Sequence, residues 1–97
     1  MVMTILEARV SQENWQALEQ AYQQGAQHRE AGLEQSFLIH SKKEADLWRI
    51  VTIWRSQEAL DEMRRSGETP RGVLMFRAAN AEPVLSIFEI AQRIPPG

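Results

Sequence analysis

Two neighbouring strand-like segments, residues 33–41 and 46–55, carry large apolar side chains at odd and even positions alike. Successive side chains of a strand point to opposite faces of a sheet, so this pattern makes both faces apolar. In the second segment one face carries Trp48, Ile50, Thr52 and Trp54, and the other carries Leu47, Arg49, Val51 and Ile53. A sheet with one face in water would alternate apolar and polar residues. Both faces of this sheet must therefore be covered.

Periodicity and turn residues divide the chain into the order β-α-β-β-α-α-β. The predicted elements are a strand over 2–10, a helix from Ser11 to Gly32, strands over 33–41 and 46–55, a helix from Ser56 to Gly67, a short helix over 72–79 that follows Thr69-Pro70, and a strand over 84–91. Right-handed crossovers place all helices on one face of the sheet. The sequence therefore predicts an α+β, ferredoxin-like fold with an antiparallel-type sheet of order 4-1-3-2. We expect one domain over residues 1–92 and a C-terminal tail over 93–97.

The helices of this arrangement cover one sheet face and leave the other bare. The bare face would expose more apolar surface than a monomer usually tolerates. The sequence therefore predicts a homodimer whose two sheets pack face to face. A monomer with an unusually apolar sheet face is the alternative.

Composition excludes several other classes of protein. The chain has 97 residues, a net charge of -2 and no cysteine. Without cysteine there is no disulfide and no thiolate metal site. The scattered basic residues argue against binding to nucleic acid or to an anionic membrane. No signal peptide or apolar run of the roughly 20 residues that span a bilayer is evident, so we expect a cytoplasmic protein.

Three segments carry a resemblance to a known family: ILEARVSQENW (residues 5–15), AGLEQSFLIHS (31–41) and above all WRIVTIWRSQEAL (48–60). The chain resembles the antibiotic biosynthesis monooxygenase superfamily, whose members are dimeric α+β barrels. The resemblance implies a pocket in each subunit between the helices and the sheet. The superfamily includes cofactor-free oxygenases of polyphenols and quinols, haem-degrading enzymes and many members of unknown activity.

The chain also differs from other members of the superfamily at positions where those members have chemically active residues. Several members place a histidine on the helix after the third strand, where this chain has Met63 and Arg64. The haem-degrading members have an asparagine on the first strand, a tryptophan on this helix and a histidine on the next helix. The matching positions here are Glu7-Ala8, Met63 and Gly72-Val73, so this chain lacks all three residues. The resemblance therefore implies a cofactor-independent monooxygenase of a small electron-rich aromatic, with O2 as co-substrate. A non-catalytic dimeric module that binds a small ligand or a protein partner is the alternative.

Several residues are candidates for the site, and each has a purely structural alternative. His40 is the candidate general base, because a substrate phenol must be deprotonated before it can give an electron to O2; the alternative is a histidine at a strand end that is bonded to solvent or to a turn. The candidate substrate-binding residues are Tyr22, Trp48, Trp54, Met63, Phe76 and Arg77, all of which could instead pack in the core or at an interface. His28 is expected to have a structural or surface role. The two histidines lack spaced carboxylate partners, so no metal site is predicted.

Arg49 lies within an apolar strand and needs an explanation. On an interface face it would pair with a carboxylate, for which Glu89 and Glu34 are candidates. On the pocket face it would hold a substrate oxyanion. Glu7, in the first strand, is a further possible partner for Arg49 or Arg77.

Overall fold

The computed structural model describes residues 1–28 and 30–96. Its elements are β1 (Val2–Arg9), a short 3-10 turn (Gln12–Asn14), α1 (Trp15–Gly25), β2 (Leu33–His40), β3 (Leu47–Trp54), α2 (Gln57–Arg65), α3 (Arg71–Ala78) and β4 (Val84–Glu89). All neighbouring strands pair antiparallel in the order β2-β3-β1-β4. The predicted fold class, element order and sheet order are confirmed.

Most of the buried core lies at one end of the helix-covered face. Phe76 of α3 and Leu18 of α1 are fully buried there against Ala8 and Trp48 of the sheet. A smaller cluster at the other end joins Leu60 of α2 to Val2 and Trp54. The face of β3 that carries Trp48 and Trp54 is thus the one beneath the helices.

The boundaries of the helices differ from the prediction in three places. α1 ends at Gly25, seven residues before Gly32. Gly32 instead adopts φ +84° where the chain enters β2, and a Cβ there would clash with the side chain of Ala59. The chain after Ser11 begins as the 3-10 turn, so α1 starts only at Trp15, and α3 starts at Arg71, directly after its N-cap Pro70. Ser56 caps α2 as predicted, because its Oγ accepts a hydrogen bond from the Ala59 N–H at 3.1 Å.

A bulge at the start of β2 interrupts the alternation of side chains between the two faces of the sheet. Leu33 is opposite Trp54, but Gln35 is opposite Ile53, so an extra residue interrupts the register. Leu33 therefore packs under the helices beside Trp54 and Leu60. Leu33 thus lies on the face opposite to that of Phe37 and Ile39, although all three have odd numbers, because a period of two cannot be counted through a bulge.

The helix-free face of the sheet is mostly apolar, with a charged pair at its centre and a few other polar residues, among them Arg9 and Ser86. Its exposed apolar side chains include Phe37 (47% exposed), Ile39 (43%), Val84 (69%) and Phe88 (53%). Glu7 and Arg49 are directly opposite each other in β1 and β3, and Arg49 Nε donates to Glu7 Oε1 at 2.6 Å. Glu7, one of the predicted partners, is thus the carboxylate that Arg49 binds, and the pair lies within one sheet. Glu34, another candidate, pairs with Arg55 instead.

Candidate functional site

A cavity of about 590 Å³ lies between the three helices and the covered face of the sheet. Its volume falls within the range of roughly 300–1,000 Å³ that is typical of small-molecule sites. The apolar part of its lining includes Leu6, Leu33, Ile50, Trp54, Leu60, Met63, Val73 and Met75. Such a lining suits a flat apolar ligand, and the two methionines can adapt to its shape.

Two glycines help to determine the shape of the cavity. A Cβ on Gly72 of α3 would meet the Cδ1 atom of Leu6 at 2.6 Å, and one on Gly25 of α1 would clash with Met75. α3 therefore approaches both the sheet and α1 closely at these points. α2 packs on the opposite end of the sheet through Leu60. The cavity occupies the space between these two contacts.

Hydroxyl groups form part of the cavity floor. Thr4 of β1, Thr52 of β3 and Ser36 of β2 are direct cross-strand partners and line the cavity. Trp54 Nε1 donates to Thr4 Oγ1 at 3.0 Å, and the Tyr22 hydroxyl donates to Ser36 Oγ at 2.9 Å. Sequence reasoning missed all three small residues. The available signal was a threonine in an otherwise apolar strand face, between Ile50 and Trp54.

The rim of the cavity is charged. Arg77 donates to both carboxylate oxygens of Glu82, at 3.0 and 2.9 Å. This hydrogen bonding raises the pKa of the Arg77 guanidinium and lowers the pKa of the Glu82 carboxyl. Arg71 approaches Glu30 at 3.6 Å across the same rim. Other charged or titratable lining residues are His28, Glu34, Arg64 and Glu68.

The structure brings together four of the seven predicted site residues. Tyr22, Trp54, Met63 and Arg77 all line the cavity. The remaining three, Phe76, Trp48 and His40, are outside its lining. Phe76 is fully buried in the core, and Trp48 is 4% exposed.

His40 belongs to an aromatic cluster at the far end of the covered face. Its ring stacks on Trp48 with centroids 4.0 Å apart and meets the edge of Trp15 at 4.7 Å. His40 Nε2 is also 2.6 Å from the carbonyl oxygen of Ala45 in the β2–β3 turn. In the described residues His28 is the histidine that lines the cavity. The sequence had favoured the other histidine for a role in catalysis.

Neither a metal site nor a membrane span is evident in residues 1–28 and 30–96. No three His, Cys, Asp or Glu side chains of these residues are grouped to hold a metal ion. None of the helices there combines the length and the apolar character needed to cross a bilayer.

Solved structures with the same fold include one cofactor-independent oxygenase and two proteins whose names state no activity. SnoaB, a cofactor-independent oxygenase from Streptomyces nogalater, matches with a TM-score of 0.71 and 16% identity over 97% of this chain and 96% of its own. Rv0793 from Mycobacterium tuberculosis matches with 0.69 and 16% over 96% and 97%. A conserved protein from Methanosarcina mazei Go1 matches with 0.70 and 13% over 90% and 89%. At these identities the likeness concerns the fold alone.

Sequence comparison assigns the family. No curated protein is significantly similar to this chain in sequence. Residues 1–73, however, match the family model of antibiotic biosynthesis monooxygenases, which is three quarters of the chain. The chain belongs to the antibiotic biosynthesis monooxygenase family.

Proposed function

We propose that this protein is a cofactor-independent monooxygenase that oxidises a small electron-rich aromatic of the quinol or polyphenol type. The observation that carries the proposal is the cavity, whose walls are apolar and whose floor bears hydroxyl groups. Apolar walls with a few placed polar groups are the usual form of a site for a small organic molecule. Membership of the family and the fold shared with a cofactor-independent oxygenase support the choice of reaction.

The proposed reaction draws its electrons from the substrate. A base removes a phenolic proton, and the phenolate gives one electron to O2, forming an aryloxyl radical and superoxide. These recombine at a ring carbon to form a C–O bond, and loss of water leaves a carbonyl group. For a ring CH2 in its enol form, the balance is CH2 and O2 giving C=O and H2O. The apolar walls would shield the radical pair from water on the sheet and helix sides of the cavity.

The proton acceptor in this proposal is His28. Imidazole is the side chain best suited to exchange a proton near neutral pH, and a general base must come within reach of the proton that it removes. His28 lines the cavity, whereas His40 lies outside it against Trp48. His28→Gln should therefore reduce the rate of oxygen uptake about 100-fold or more. His40→Gln should leave that rate within about twofold. If His40→Gln slowed oxygen uptake more than His28→Gln, His40 would be the proton acceptor instead.

The activity is tested by oxygen uptake with a panel of quinols, polyphenols and anthrones, without added flavin, haem or metal. Met63→Trp should slow the uptake, because Met63 is half-buried on the cavity wall and a larger ring there would occupy substrate space. Glu62→Trp is the matched control, since Glu62 is exposed and outside the cavity lining. An uptake no faster than spontaneous oxidation across the whole panel would count against the proposal.

A non-catalytic module that binds a small apolar ligand is the second candidate. The specific observation in its favour is that Met63 and Arg64 of α2 line the cavity, where the resemblance led us to look for a histidine. This candidate predicts a melting temperature that rises with the logarithm of the ligand concentration once the site is saturated, but no turnover.

We also propose that two copies of the chain pair through the helix-free face. Four apolar side chains on that face are exposed, and Phe88 is 53% exposed. Phe88→Glu should convert a dimer of about twice 11.1 kDa into a monomer in sedimentation at micromolar concentration. Leu74→Glu is the matched control, because Leu74 is 51% exposed but lies on α3, on the other side of the sheet. A single-chain mass for the unaltered protein would exclude the dimer.

A further inference from the structure

Three hydroxyl side chains form a straight row across the centre of the sheet. Thr4, Thr52 and Ser36 are opposite one another in β1, β3 and β2 and point to the helix-covered face. All three line the cavity. Side chains of directly opposed residues are about 4.5–5.5 Å apart at Cβ, so the row offers regularly spaced hydroxyl groups along the floor.

The row is polar between two apolar neighbours. The adjacent rows on the same face are Leu6, Ile50 and Leu38 on one side and Val2, Trp54 and Leu33 on the other. A ligand that lies flat on this floor would contact apolar groups everywhere except along one line. The polar line is therefore a local feature of the cavity and not part of a generally polar wall.

The two outer hydroxyls are already oriented by hydrogen bonds. Thr4 Oγ1 accepts from Trp54 Nε1 at 3.0 Å, and Ser36 Oγ accepts from Tyr22 at 2.9 Å. A hydroxyl has one proton to donate and two lone pairs to accept. Each outer hydroxyl therefore has one hydrogen bond within the chain and keeps further hydrogen-bonding capacity for a ligand in the cavity.

The central hydroxyl has no partner within the described part of the chain. Thr52 is 9% exposed, and no side-chain hydrogen bond joins it to another residue of 1–28 or 30–96. The Thr52 hydroxyl is not among the fully buried unpaired polar atoms of these residues, because Thr52 lines the cavity. Its donor and acceptor capacity is therefore free for a ligand there, whereas valine, with nearly the same shape, would offer none.

We infer that the Thr4–Thr52–Ser36 row is the subsite that binds the oxygen substituents of the ligand, so that the site selects aromatics oxygenated at more than one ring position. The inference rests on the proposed function for its choice of an aromatic ligand. Hydroxyls both donate and accept, so the row takes phenolic hydroxyl and quinone carbonyl groups alike. An aromatic hydrocarbon would leave Thr52 unsatisfied and bind less tightly.

The test is calorimetric titration with 1,4-naphthoquinone and with naphthalene, in the absence of turnover. The chain has no cysteine for the quinone to alkylate. The unaltered protein should bind the quinone more tightly than the hydrocarbon. Thr52→Val should weaken quinone binding roughly two- to tenfold, the value of one neutral hydrogen bond, and leave naphthalene binding unchanged. Thr52→Ser keeps the hydroxyl and should retain the quinone affinity.

Thr69→Val is the matched control, because Thr69 lines the same cavity but stands outside the row. The inference is overturned if Thr52→Val and Thr69→Val weaken quinone binding equally, or if neither changes it. It is overturned too if the hydrocarbon binds as tightly as the quinone. Selective quinone binding without oxygen uptake would support the row as a binding subsite and reject the monooxygenase activity. Oxygen uptake together with a quinone affinity that Thr52→Val leaves unchanged would support the activity and reject the subsite.

Discussion

Trp48 and Trp54 are on the same face of β3, six residues apart, yet their surroundings are opposite. Trp48 lies at the sealed end, beneath α1 and α3, and its Nε1–H is buried without a partner among the described residues. Trp54 lies at the open end, lines the cavity and donates its Nε1–H to Thr4. The sealed end thus has the packing of a protein core, whereas the open end has unfilled space and placed polar groups. Within one strand, the sealed end therefore contributes mainly to stability and the open end mainly to the binding site.

The sharpest test of this difference is a pair of truncations. Phe76→Ala at the sealed end should lower the free energy of unfolding by about 3–5 kcal/mol, because Phe76 is 0% exposed and its removal leaves a void. Met63→Ala at the open end should cost about 1 kcal/mol or less, since Met63 already borders empty space. Urea unfolding with unchanged m-values measures both. Equal losses would show that the two ends are packed alike.

A smaller effect should separate the two tryptophans themselves. In a double-mutant cycle, Trp54→Phe and Thr4→Val should couple by about 0.5–1.5 kcal/mol, the net value of their hydrogen bond. The matched cycle of Trp48→Phe with Thr4→Val should show no coupling, because Trp48 is opposite Ala8, four residues along β1 from Thr4. Equal coupling in the two cycles would mean that the Trp54–Thr4 bond contributes nothing of its own.

The sequence predicted well those features that depend on local period. The strand face shared by Trp48, Ile50 and Trp54 followed from alternation alone, and the cap at Ser56 followed from its position before an apolar helix face. The end of α1 was not predicted. Gly32 has a positive φ at a point where the backbone approaches Ala59 of α2, and not at the end of a helix.

The candidate site was harder to predict, because it depends on contacts between distant segments. The hydroxyl row requires the register of three strands at once, and no single strand reveals it. The separation of His28 from His40 depends on where α1 ends and on how the helices cover the sheet. Resemblance to a family supplied the existence of the pocket but not its polar floor.

The smallest expected effect concerns the rim, where the open end meets solvent. Arg77 lowers the pKa of the Glu82 carboxyl, chiefly by hydrogen bonding. A carboxyl whose pKa is lower in the folded state adds stability above its unfolded pKa, and this contribution is lost as the pH falls through the folded pKa. Both side chains are more than half exposed, at 51% and 67%, so solvent and salt reduce the contribution.

Arg77→Gln should therefore lower the melting temperature only slightly at neutral pH. The difference from the unaltered protein should shrink as Glu82 becomes protonated in acid, and it should also shrink in high salt. Arg65→Gln is the control, because Arg65 is exposed on α2 and has no ion pair with another residue of 1–28 or 30–96; its effect should not change in acid. If Arg77→Gln instead lowered stability by the same amount at acid and neutral pH, Arg77 would act by packing at the rim. The charged rim would then contribute to the stability of the fold by packing, as the residues of the sealed end do.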